Sequence, residues 1–162
     1  MPDGEQAALS VLDHGLLYGD GVFEGIRVYR GKVFQAAAHL DRLFASAEAI
    51  RLKMPMSKPH IEEVIYQTLR ADGASDAYVR LVVTRGPGNL GLNPFQCPEP
   101  SVFVIVDQIL LYPRQMYEVG MAVIVARTRR TAASMLPPSV KSLNYLNNIL
   151  AKIEAIDAGV AE

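Results

Sequence analysis

Two runs of this chain, Ala77 to Thr84 and Ser101 to Asp107, are apolar at nearly every position. That pattern suits strands covered on both faces, so other layers must pack against them. Met121 to Ala126 reads as a third strand. Val22 to Tyr29 alternates loosely and carries β-branched and aromatic residues, as a strand does. Arg30-Gly31 supplies a turn, and Lys32-Val33-Phe34 returns as its hairpin partner. Ala36 to Leu52 is helical in period, with Leu40, Leu43, Phe44, Ala47 and Ile50 on one stripe and Pro55 beyond the stop. A second helix runs from about Pro59 to Ala71, with Ile61, Val64, Ile65 and Leu69 on one face and Gly73 at its end. A last helix begins near Ser142. Leu143, Leu146, Leu150 and Ile153 form its stripe, while Asn147, Lys152 and Glu154 look outward.

The order β-β-α-α-β-β-β-α is not a βαβ alternation. It predicts an α+β fold, a mostly antiparallel sheet with helices on one face. With 162 residues, half of them hydrophobic, the chain holds one domain and perhaps a piece of a second. The net charge of −1 supplies no field to recruit nucleic acid or an anionic membrane. Apolar stretches such as Val102 to Val106 are far too short to span a bilayer, and the polar N-terminus argues against a signal peptide. A single cysteine, Cys97, builds no disulfide framework and points to a reducing compartment, the cytoplasm. His14, His39 and His60 have no metal-ligand spacing, so no metal site is expected.

Lys141 is the first candidate for chemistry. It stands in Pro137-Pro138-Ser139-Val140-Lys141-Ser142-Leu143-Asn144-Tyr145, at the mouth of the last helix. A neutral lysine amine attacks carbonyls, but it must first lose its proton, and a helix N-terminus disfavours the positive charge. Tyr145, four residues on, would share its helix face. Spacing alone nevertheless favours a surface lysine beside a helix cap. Arg42 lies at the edge of its helix stripe, where a guanidinium can reach a phosphate; spacing alone favours a stem packed on the core and a head in water. Arg27 and Arg80 interrupt strands. Arg80, flanked by apolar residues, either pairs with Glu24 or awaits an anionic substrate. Gly25 inside a strand marks a bulge or a close approach. The loop 86–100 is rich in Gly and Pro, and the loop 128–139 carries Pro137-Pro138, but no P-loop pattern occurs, and Gly19-Asp20-Gly21 leads into a strand rather than a helix.

Two segments make a family resemblance visible. Ser10-Val11-Leu12-Asp13-His14-Gly15-Leu16-Leu17-Tyr18-Gly19-Asp20-Gly21-Val22-Phe23-Glu24-Gly25-Ile26-Arg27 and Lys141-Ser142-Leu143-Asn144-Tyr145-Leu146-Asn147-Asn148 closely resemble class IV aminotransferases. These are pyridoxal-phosphate enzymes of the branched-chain amino acid aminotransferase group. His39 to Glu48 and Tyr78-Val79-Arg80 fit the same pattern in order.

The resemblance implies roles that spacing could not. Lys141 matches the lysine that carries pyridoxal 5′-phosphate as a Schiff base. Arg42 matches the arginine on the cofactor phosphate, and Tyr145 the tyrosine near its phenolic oxygen. Tyr18, Phe23, Gly25, Arg27, Tyr78 and Arg80 match residues lining the substrate pocket. Leu92 matches one that reaches into a partner subunit, which implies a homodimer or higher homo-oligomer. Phe23-Glu24-Gly25-Ile26-Arg27 resembles the branched-chain group, which moves the amino group of an amino acid to the 2-oxo acid 2-oxoglutarate. D-amino acid aminotransferases and aminodeoxychorismate lyases are the alternatives, and a non-catalytic folded fragment is a third reading. Residues 1–127 then correspond to the small N-terminal domain, 128–139 to the linker, and 140–162 to the hinge and first helix of a larger domain. The rest of that domain, with the carboxylate that pairs with the pyridine nitrogen, is absent from the sequence, so this stretch alone is expected to be inactive.

Overall fold

The structure, a computed structural model, describes residues 7–108 and 112–162. It divides into two compact units. One comprises the described residues up to Gln108 together with Ser139–Leu143; the other comprises the remaining described residues up to Pro138, with Asn144–Glu162.

The first unit is built on a four-stranded antiparallel sheet. Its strands are β1 (Gly21–Tyr29), β2 (Lys32–Val33), β3 (Ala77–Thr84) and β4 (Ser101–Asp107), in the order β2-β1-β3-β4. Arg30 and Gly31 both adopt positive φ, 51° and 73°, which matches the twist of a tight hairpin between β1 and β2. A short helix, α1 (His14–Tyr18), precedes β1. Its five residues are too few for periodicity to reveal. Two longer helices, α2 (Ala36–Ala49) and α3 (Lys58–Asp72), pack against β1 and β4 respectively. Gly73, at φ 81°, stops α3 by donating its N–H to the Leu69 carbonyl over 2.9 Å.

The core lies between these helices and one face of the sheet. Val22, Ile26 and Val28 of β1 and Val79, Leu81 and Val83 of β3 meet Leu40, Leu43 and Ala47 of α2 and Ile61, Ile65 and Leu69 of α3. Each fully buried aliphatic side chain of this set is worth about 1.5–3 kcal/mol. The expected stripes are thus the buried ones, with Phe44 and Ile50 packed at the margin, except that Val64 is only half-buried and lies outside the core. Coverage on both faces describes most of β3 but not β4, whose residues are half-exposed and whose Ile105 is 50% exposed.

The second unit departs further from expectation. It contains α4 (Arg114–Val119) and α5 (Leu146–Asp157). Met121–Ala126 is not a strand. Among the described residues it makes two backbone hydrogen bonds with residues 161 and 162, Ile124 N to Glu162 O and Ala161 N to Ala122 O, and no ladder. The last helix starts at Leu146 rather than near Ser142, with Tyr145 as its cap residue. Its polar residues are tied into the unit, although the Lys152 side chain keeps 42% of its exposure. Glu154 accepts from the Arg127 and Thr128 N–H groups, Asn147 donates to Arg129 O and Lys152 to Ala161 O. Leu146, Leu150 and Ile153 stand exposed. Among the described residues, no helix is long and apolar enough to cross a membrane.

Candidate active site

Strand register decides which side chains meet. β1 pairs with β3 through Phe23↔Val82, Gly25↔Arg80 and Arg27↔Tyr78. Because side chains alternate, these residues share the sheet face opposite α2 and α3. Glu24, between Phe23 and Gly25, points the other way. Register therefore excludes the Glu24–Arg80 pair considered from sequence.

Arg80 instead lies over the Phe23 ring, with Cζ 3.7 Å from the centroid, and Nη1 reaches the Tyr78 hydroxyl at 3.4 Å. No carboxylate is paired with it among the described residues. Gly25 faces that phenol closely. A Cβ added at Gly25 would fall 2.9 Å from Tyr78 Cζ, and nearer still to the hydroxyl. Arg27 lies over the Tyr29 ring, towards the hairpin.

Lys141 joins this face by a route the sequence did not suggest. The segment 141–143 lies along β1: Phe23 N donates to Lys141 O over 3.1 Å, Leu143 N to Gly21 O over 2.9 Å, and Ser142 bridges Val22. Ser142 turns inward and is 5% exposed. Alternation then sends the Lys141 side chain to the opposite face, where Nζ lies 4.4 Å from the Phe23 centroid. The Lys141 N–H donates to Ser46 Oγ of α2 over 3.1 Å. Lys141 is thus a strand-edge residue and not a helix-cap residue. The helix-end argument for its reactivity does not apply, and neither does the shared helix face with Tyr145. The cause is long-range: the segment 141–143 is drawn into pairing with β1, and α5 begins only at Leu146.

Arg42 lies on α2, on the other side of β1. Its Nε and Nη2 hold the two oxygens of Glu24 at 2.6 and 2.7 Å, and His39 Nδ1 donates to Glu24 Oε2 over 2.8 Å. Glu24 is fully buried, while the Arg42 side chain is 51% exposed. Burial alone would push the Glu24 carboxyl up. The hydrogen bonds and charges of Arg42 and His39 outweigh it and hold the carboxyl below its ordinary value.

Tyr18, the last residue of α1, donates to Leu90 O over 2.7 Å and thereby ties α1 to the loop that exposes Leu92. Tyr145 belongs to the second unit. Cys97 borders Gly88, and burial followed by the Asp20 carboxylate raises its thiol, as suits an unreactive sulfur.

Two supports escaped the sequence reading. Asp13 is completely buried; it caps α1 at Gly15 N and accepts from Thr84 Oγ1 and Ser101 Oγ, each over 2.8 Å. Its signal was legible as an N-cap aspartate before a short helix. Arg85, 6% exposed, grips Asp20 with two nitrogens and also donates to Ile50 O and Arg51 O at the end of α2. Nothing in the sequence marks that link, because its partners lie 34, 35 and 65 residues away.

These residues suit a carbonyl-bearing, phosphorylated cofactor. A primary amine stands on the open face, beside an aromatic ring. A half-exposed guanidinium flanks the same strand.

Comparison with known proteins gives the family. The model of the family described as amino-transferase class IV matches residues 21–162. A candidate branched-chain-amino-acid aminotransferase of Methanocaldococcus jannaschii is 49% identical over 160 residues, covering 99% of this chain and 54% of the relative. The branched-chain amino acid aminotransferase of Escherichia coli superposes on 100% of this chain and 55% of its own, with a TM-score of 0.94 and 30% identity. The T.th. enzyme of the same name, complexed with N-(5′-phosphopyridoxyl)-L-glutamate, gives a TM-score of 0.89 at 33% identity, over 100% of this chain and 54% of its own. The chain therefore spans about half the length of each.

Proposed function

The chain belongs to the class IV amino-transferase family, and we propose that it acts within a pyridoxal-phosphate enzyme moving the amino group of a branched-chain L-amino acid to 2-oxoglutarate. One observation carries this reading: the Lys141 amine shares a sheet face, and one aromatic ring, with Arg80.

Lys141 would carry the cofactor on Nζ, and Arg42 would hold its phosphate. Once bound, pyridoxal phosphate supplies an electron sink for the substrate α-carbon. With the cofactor bound, Lys141 Nζ would take the α-proton and return it to the cofactor carbon that bears the aldehyde, across the intervening nitrogen. Its backbone suits a fixed base, since its N–H is held by Ser46 and its carbonyl by Phe23. Arg80 would bind the distal carboxylate of glutamate or 2-oxoglutarate as a charge-assisted pair. Phe23 and Tyr78 present apolar surface to a branched side chain, and Tyr18, Gly25 and Arg27 complete the pocket. Tyr145 would serve the cofactor's phenolic oxygen. We also infer a cytoplasmic homodimer in which the exposed Leu92 meets a partner's site.

The test uses the protein at its natural length. Pyridoxal phosphate is added, the visible spectrum recorded, the sample reduced with borohydride, and the adduct mapped. Label on Lys141 is expected; label on another lysine, or on none, overturns the assignment. Turnover of L-leucine should exceed that of D-alanine and of aminodeoxychorismate. Equal or better turnover of D-alanine removes the branched-chain reading.

A further inference from the structure

Glu24 and His39, which hold Arg42, are unexplained by the proposed chemistry. A glutamate is among the residues least often buried completely, and one in mid-strand needs strong partners. Glu24 sits inside β1 with no exposed surface and uses both oxygens. The guanidinium of Arg42 meets it edge-on, through Nε and Nη2. A guanidinium is planar, so fixing that edge fixes the direction of the whole fork. His39, one turn before Arg42 on α2, holds Oε2 as a third donor. A carboxylate only accepts, so the proton between them belongs to His39 Nδ1.

We infer that Glu24 and His39 are positioning residues that aim the Arg42 guanidinium at the cofactor phosphate. This rests on the reading above, in which Arg42 holds that phosphate. The pair Glu24–Arg42 carries no net charge, so its hold on a phosphate comes from directed N–H groups more than from bulk Coulomb attraction. Direction is what the buried carboxylate supplies. The architecture adds a reason. One strand, β1, presents Phe23 and Gly25 on the open face and anchors Arg42 from the other through Glu24. One helix, α2, carries Arg42 and, a turn later, Ser46, which holds the Lys141 N–H. The phosphate group and the lysine backbone are thereby spaced by a rigid helical turn, and Glu24 locks the side chain at one end of it.

The experiment compares binding of pyridoxal phosphate with binding of pyridoxal, which lacks the phosphate, by absorbance titration of the natural-length protein. R42A should weaken pyridoxal phosphate strongly and pyridoxal little. If R42A changes neither, or both equally, the assignment of Arg42 fails and this inference with it. Given the expected R42A result, E24Q should lose about tenfold for pyridoxal phosphate, as expected for loss of a charge-assisted contact, and less than about twofold for pyridoxal. Equal losses for both ligands would make Glu24 merely structural, and no loss or a gain would also overturn the inference while leaving Arg42 in place. E24Q combined with R42A should bind no more weakly than R42A alone. Should E24Q not fold, His39 decides. H39L is expected to lose affinity for pyridoxal phosphate selectively and H39N, which keeps a donor near Nδ1, to restore it; equal behaviour of H39L and H39N overturns the positioning role.

Discussion

Substituting Gly25 with alanine should separate activity from stability. Gly25 has no positive φ, so alanine meets no backbone strain there. The obstacle is the Tyr78 phenol. Its Cζ lies 2.9 Å from the new Cβ position and must move out to the 3.4 Å at which ordinary contact begins; the hydroxyl must move further. That hydroxyl touches Arg80 Nη1 at 3.4 Å, already the limit of a hydrogen bond, so the retreat breaks the contact. A hydrogen bond to a charged group is worth about 1.5–3 kcal/mol, and this long one belongs at the low end. The expected loss in kcat/KM is about tenfold for the carboxylate-bearing substrate, glutamate or 2-oxoglutarate, and smaller for leucine. Stability should change by less than about 1 kcal/mol, because a tyrosine tip yields easily and alanine restricts the unfolded chain. Steady-state kinetics with both substrates, beside a thermal melt, measures each part. Adding G25A to Y78F should cost less than adding it to the parent. An unchanged glutamate-to-leucine ratio would refute the reasoning. So would a stability loss above about 3 kcal/mol, since the backbone would then have absorbed the clash.

Arg85→Met should destabilise the first unit by about 3–5 kcal/mol, because it strands Asp20 and the Ile50 and Arg51 carbonyls. Urea denaturation reads this directly, and D20N alone should cost less, as the Asp20 side chain is 22% exposed and water can replace its partner. Acid should act through Glu24. Its folded value lies below the ordinary 4.5, so its contribution is complete above 4.5 and is lost as pH falls through the folded value. Arg42 and His39 are the charged or titratable groups bonded to it. Urea midpoints below pH 4.5 should therefore fall more steeply for the parent than for E24Q; parallel curves would remove Glu24 as the acid-sensitive group.

Much of the fold was legible because it rests on local signals. Arg30-Gly31 made the hairpin, Pro59 and Gly73 bounded α3, and the stripes of α2 and α3 are the buried ones. The failures share a cause. Met121–Ala126 has strand composition but lacks a ladder, and composition does not provide a neighbour. In this stretch, which spans about half the length of its relatives, the apolar stripe of α5 is exposed, while Asn147, Lys152 and Glu154 are held by residues of the same unit. Periodicity defines a face without saying what will cover it.

The sequence by itself determined the class of fold, the family motifs and the residue types available for chemistry. Those depend on turns, periodicity and side-chain identity, all encoded within a few neighbouring positions. Only the tertiary structure decided partnership. Strand register turned Glu24 away from Arg80 and towards Arg42. The edge of β1, and no helix end, placed Lys141 over Phe23. In a sheet a shift of one residue reverses every side chain, so which groups meet is fixed by pairing between distant segments and cannot be read from either segment alone.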